Sequence, residues 1–335
     1  MHNIFGARFL SHKEPAWHGL GQVVEEGVGA AAAFERLGSY EVMLASLSLS
    51  SHKLPKVTIP YKAIVRTPVA DDPQLRVFGI VSPEYSLITP QDFTAIWDEH
   101  VAEDVETIGM LGKGETMFIS TRLPSFNVRG DEVGNYLLAV SPMTGGNAAE
   151  VRITPVRVVC QNTLSLSENM STEIYRIVHD ASGKERLASW LTDAYQRAEA
   201  RTEAIKEAFD VLAGHRVGNE ERELVLAQAY PNSSASLLDN APPEVMARRR
   251  ADADWYEKQL EKRRGAVREL FAGAGTGMEH PACSGTAWGL FNSVCECEDY
   301  RRGRGNESIC KDALFGGRAE TKERAFDACL YLVRN

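Results

Sequence analysis

Arg152, Arg157 and Asn162 share one short stretch, Val151-Arg-Ile-Thr-Pro-Val-Arg-Val-Val-Cys-Gln-Asn-Thr-Leu164, where charge, strand pattern and polar side chains converge. Guanidinium groups hold phosphate through a fork of N–H donors, and an asparagine amide can orient a sugar or a base edge. The β-branched residues from Val156 to Cys160 favour a strand, and its period of two sets Arg157 and Val159 opposite Val156, Val158 and Cys160. Pro155 removes a ladder donor and points to an edge or bulge just upstream, and Asn162 is a candidate N-cap for a following helical turn. Two readings stand side by side. One is a partly buried strand whose arginine pairs with a carboxylate. The other is a strand end that presents Arg157 and Asn162 to a phosphate-bearing ligand.

A second basic set, Arg248, Arg249, Arg250, Lys258, Lys262, Arg263, Arg264 and Arg268, falls on a helix expected from about Glu244 to Phe271. With Trp255 and Tyr256 as stacking groups it could track a phosphate backbone. Glu244, Asp252, Asp254, Glu257, Glu261 and Glu269 are interleaved with it, which also fits a solvated helix face that neutralises itself. Near the start, Trp17 and His18 sit between Pro15 and the glycines 19 and 21, an aromatic hook on a tight turn. That pair either contacts a ligand or plugs the edge of the core.

Other chemistries find less support. Gly112-Lys113-Gly114 lacks the spacing of a phosphate loop and precedes a strand, so a hairpin turn is expected there. His280, Cys283, Cys295, Cys297 and Cys310 are enough donors for zinc. However, Cys295 and Cys297 lie about 200° apart around an expected helix and cannot easily face one ion. Neither a metal nor a cofactor is expected. His18, His179 and His215 are the histidines an active site would draw on, but no catalytic set surrounds them in sequence and an enzyme ranks third among the readings.

The elements that must carry these residues follow from pattern. Hydrophobic residues at 44% and charged residues at 25% are those of a globular chain, and 335 residues can bury one large core or two ordinary ones. A net charge of -9, spread over both halves, restricts any nucleic-acid site to a local patch. No apolar run approaches the roughly 20 residues that span a bilayer. Met1 to Arg8 lacks the blocks of a secretion signal, so a cytoplasmic protein without a membrane partner is expected. Strands alternate with turns up to residue 184, with a helix opened by Thr89 and Pro90 across them, and helical periodicity dominates afterwards. One long helix is expected over Leu187 to Leu212. The expected fold is α+β. Residues 1–184 form a mostly antiparallel sheet domain, and residues 185–335 form a helical domain with a flexible loop near 231–243.

Pro15-Ala-Trp-His-Gly-Leu-Gly21, Gly79-Ile-Val-Ser-Pro-Glu-Tyr85, Thr154-Pro-Val-Arg-Val-Val-Cys-Gln-Asn-Thr-Leu164 and Gly285-Thr-Ala-Trp-Gly-Leu-Phe-Asn292 resemble the phage/plasmid-like protein family, a domain family of unknown function. The resemblance implies a mobile element inside a bacterial cytoplasm and supplies no chemistry. A meander followed by helices is also similar to phage single-strand annealing proteins. The expected function is therefore single-stranded nucleic-acid binding in recombination or replication, through Arg152, Arg157, Asn162 and the basic helix. The alternative is a non-catalytic interaction module that antagonises or redirects a host protein, and a homo-oligomer is compatible with either.

Overall fold

The computed structural model describes residues 4–13, 22–52, 54–157, 162–163, 175–232, 243–301 and 316–334. In chain order the N-terminal elements are β1 (Ile4–His12), β2 (Gln22–Val24), α1 (Ala30–Arg36), β3 (Val42–Ser51), β4 (Leu54–Arg66), β5 (Arg76–Val81) and α2 (Pro90–His100). They are followed by β6 (Thr107–Leu111), β7 (Thr116–Val128), β8 (Asp131–Pro142), β9 (Ala149–Arg157), β10 (Asn162–Thr163) and β11 (Tyr175–Ile177). The main sheet runs β10-β9-β8-β7-β6-β1-β2, with β11 also pairing β9; β3-β4-β5 form a second sheet. Among the described residues every pairing is antiparallel except β1 with β2. The α+β expectation holds.

Local chemistry sets the boundaries. Thr89 Oγ1 accepts from the Asp92 N–H at 3.1 Å while Asp92 Oδ2 accepts from the Thr89 N–H at 3.0 Å, so a reciprocal cap starts α2, with Pro90 at its first position. Phe93 and Trp97 then bury the inner face of α2 completely. Gly112 and Gly114 adopt φ of 73° and 93° and close the β6–β7 hairpin, as the sequence predicts. The turn between β7 and β8 is tight. Arg129 (φ 50°) and Gly130 (φ 95°) alone make it, because two positive φ values match the twist of the flanking strands and allow pairing up to Val128 and Asp131.

The helical part contains α3 (Gly183–Gln196), α4 (Ala198–Gly214), α5 (Asn219–Ala229), α6 (Pro243–Glu269), α7 (Ala287–Glu296) and α8 (Gly317–Arg334). Short π-helical turns follow α6 at Leu270–Ala274 and α7 at Cys297–Arg301. The single helix expected over Leu187 to Leu212 is two helices that meet at Arg197 (φ -93°, ψ 3°). Leu187, Leu191, Ala194, Ala198, Ile205, Phe209 and Leu212 remain buried across the break, so the apolar periodicity is unbroken where the backbone is not.

One core runs through both halves. It joins the inner residues Val42, Ile64 and Val81 of the small sheet to Ile119, Leu137 and Val151 of the large one, and these to Phe209, Trp288, Phe291 and Phe326 among the helices. Phe209 lies 4.5 Å from Trp288 and Phe291 lies 5.2 Å from Phe326, centroid to centroid. No helix among the described residues is long and apolar enough to cross a membrane.

Candidate nucleic-acid interface

Strand β9 carries Arg152 and ends at Arg157, and β10 pairs with its last residues in the register Asn162 to Arg157 and Thr163 to Val156. Asn162 is therefore a strand residue rather than a helix cap, and it lies directly across from Arg157. The side chains of Arg157 and Asn162 lie outside what the structure describes, as do residues 158–161. On the same edge of β9, β11 pairs with Ala149, Glu150 and Val151, so Pro155 falls in the stretch between the two short partners. That is where a missing ladder donor costs least.

Arg152 is half-buried, with its Nε sealed from solvent. Burial pushes its pKa down, the carboxylates of Glu150 and Glu323 push it up, and Arg176 adds to the lowering. The side chain thus sits in a field set by acids from its own strand and from α8.

Helix α6 presents a different surface. Its first turns carry Arg248, Arg249 and Arg250, whose side chains lie outside the described parts. Further along, Trp255 is 64% exposed and Tyr256 41% exposed, and Lys258 and Lys262 are exposed beside them. Residues 255, 258 and 262 fall within about 60° of one another around the helix axis. Arg264 is spent differently, donating to the Tyr230 carbonyl at 2.5 Å and to Asn232 Oδ1 at 2.6 Å. The backbone carbonyl of Arg263 lies 3.9 Å from the Cys297 thiol. Arg268 forks onto Glu223 and reaches Glu261, and the Arg268 and Arg222 guanidiniums hold the Glu223 carboxyl down at about 2. The basic helix therefore divides into an outer half with free aromatic and lysine groups and an inner half that docks it on α5.

Trp17 and His18 lie outside the described residues, and so does Cys310. Of the other histidines, His215 Nε2 lies 3.1 Å from Glu221 Oε1 at the start of α5. His179 is buried against Tyr85, ring on ring at 5.4 Å, and its Nδ1 accepts the Ile88 N–H.

Two buried polar clusters have no plain mark in the sequence. Arg66 is fully buried, pairs with Asp72 at 2.6 Å and lies over the rings of Phe5 and Tyr40, while Arg8 forks onto Asp71 at 2.7 and 2.8 Å. Around the π-helical turn after α7, Asp299 meets Lys322 at 2.5 Å, both fully enclosed, and Arg318 donates to the Glu298 carbonyl. Burial pushes the neighbouring Cys297 thiol up to about 12 and raises that of Cys329 as well, so neither is a thiolate nucleophile at neutral pH. Among the described residues no three His, Cys, Asp or Glu side chains converge as metal ligands.

The profile of a domain of unknown function, DUF932, matches residues 77–324. The chain belongs to that family. No curated protein and no solved structure matches it. The DUF932 region takes in the strands from β5 through β11, which belong to both sheets, and the helices up to the middle of α8, and so includes both β9 and α6. Two glycine motifs inside it are explained by close backbone approach. A Cβ on Gly79 would lie 2.3 Å from the Thr144 carbonyl oxygen, and one on Gly289 would lie 1.9 Å from that of Cys283. In this DUF932 chain the late motif is a packing device: Thr286 caps α7, Trp288 and Phe291 fill the core, and Asn292 donates to the Trp288 carbonyl at 2.9 Å.

Proposed function

We propose that the protein binds single-stranded nucleic acid along the outer half of α6. The observation that carries this reading is an exposed Trp255 beside Tyr256 with Lys258 and Lys262 on the same helix. Bases stack on exposed aromatic faces for about 1–3 kcal/mol each, and lysines neutralise the phosphates between them. A duplex offers no free base faces, so the preference is for single strands. The net charge of -9 opposes indiscriminate adhesion and restricts any binding to local patches. Arg248, Arg249 and Arg250 extend the track toward the start of the helix. Arg157 and Asn162, neighbours across β9 and β10, form a second phosphate contact in this reading. In this reading the activity would serve recombination or replication, as the likeness of a meander followed by helices to single-strand annealing proteins suggests.

Fluorescence anisotropy with a labelled single strand and a labelled duplex across a salt series tests it. Salt-dependent preference for the single strand is expected. Trp255→Ala should weaken binding by about 1–3 kcal/mol, and Lys258→Ala with Lys262→Ala should flatten the salt slope by about 1.4. Equal binding by wild type and Trp255→Ala, or none by either, overturns the reading.

A second reading rests on Asp252, Asp254 and Glu257, which are exposed on the same helix. They suit a basic protein surface of the host and a non-catalytic, antagonistic role. Nuclease-resistant capture of a stoichiometric host protein, lost in a triple Asn/Gln variant of these acids, supports it.

A further inference from the structure

We infer that two copies of this chain associate through the outer face of the three-stranded sheet. The register of that sheet assembles four cross-strand rows on one side: Met43–Val65–Val77, Ala45–Ala63–Ile80, Leu47–Ile59 and Leu49–Val57. Every member is apolar and none is charged. The opposite side, with Val42, Ile64 and Val81, is the one that enters the core, so these rows lie on the outer side; there the central-strand residues Ala63 and Val65 are themselves buried, and the flanking members carry the exposure. Met43, Leu49, Val57, Val77 and Ile80 are between 43 and 65% exposed, and Tyr61, in the bulge between Lys62 and Ile59, is exposed as well.

The size and composition of the patch select its occupant. By their fractional exposures these side chains leave on the order of 600 Å² of exposed surface, the upper end for a patch on a monomer and somewhat below the ~800 Å² that each partner gives to a standard interface. Hetero-complexes that form and dissociate use surfaces about as polar as the rest of the molecule, whereas homodimer interfaces are more apolar and depleted of charge. A chain with net charge -9 repels its own copies over most of its surface. A face without charge is where two such molecules can meet. A two-fold axis places the same patch on both sides, and two twisted sheets pack face to face about 10 Å apart.

Sedimentation velocity over a concentration series tests the inference. Wild type should sediment at twice the 36.9 kDa chain mass. Leu49→Lys combined with Ile80→Lys should sediment as the single chain, with dissociation constant raised at least 100-fold. Both side chains are exposed, so its circular dichroism and thermal melt should match wild type. Val57→Lys, directly across from Leu49, should act in the same direction alone. A wild type that is monomeric at every concentration overturns the inference, also if it then binds neutral phospholipid vesicles or another polypeptide. So does a charged variant that remains as associated as wild type.

Discussion

Trp288 donates its indole N–H to Asp131 at 2.8 Å, joining the first residue of β8 to the first turn of α7 across 157 positions of sequence. Asp131 is buried and also meets the Cys283 thiol at 3.5 Å, so the sheet and the helices share one enclosed carboxylate. Trp288→Phe keeps the aromatic contact with Phe209 and removes the donor. A buried acceptor that loses a charge-assisted bond costs about 2–3 kcal/mol. Urea unfolding should show that loss as a lower midpoint with unchanged slope.

The Asp299–Lys322 pair should be far more costly to break than to replace. Lys322→Met removes the lysine from the enclosed Asp299, and a loss of about 3–5 kcal/mol is expected. Adding Asp299→Leu should restore at least half of it. Denaturation midpoints of the single and double variants measure the difference, and equal losses would show that the pair is not coupled.

His179 should make stability depend on pH in a defined window. Burial lowers its pKa from 6.5 to about 4, so the folded protein keeps the ring neutral. Above pH 6.5 both states are neutral and the histidine contributes no pH dependence. As pH falls from 6.5 to about 4, the unfolded chain takes up the proton and the native chain does not, and stability declines by about 3 kcal/mol before levelling. His179→Gln should lack this decline, and the difference between the two unfolding curves over that window isolates it from carboxylate titration.

Two glycines should respond oppositely to alanine. At Gly289 the added methyl would meet the Cys283 carbonyl oxygen at 1.9 Å, and a loss of about 3 kcal/mol is expected. At Gly265, inside α6, it would meet nothing within 4 Å. There a gain of about 0.5–1 kcal/mol follows from helix propensity and the stiffer unfolded chain. Thermal melts of both variants read the contrast directly.

Short-range physics was legible from the residues alone. Thr89-Pro90 with Asp92 specifies a helix start, Gly112 and Gly114 specify a hairpin, and the change from period two to helical periodicity after residue 184 specifies α+β, because each depends on neighbours within a few positions. Trp255 and Tyr256 were also visible as candidates, since a polar helix gives them no apolar stripe to join. What the sequence could not determine depends on who lies opposite. Arg152 and Arg264 look alike as isolated cations, and only tertiary contacts set the first among Glu150, Glu323 and Arg176 and pin the second to Tyr230 and Asn232. The break at Arg197 has no glycine or proline to announce it, because the apolar face continues through it. The outward apolar face of β3, β4 and β5 was hidden for the same reason: alternation shows that a strand has two faces, and only the packing of the whole chain decides which one is left uncovered.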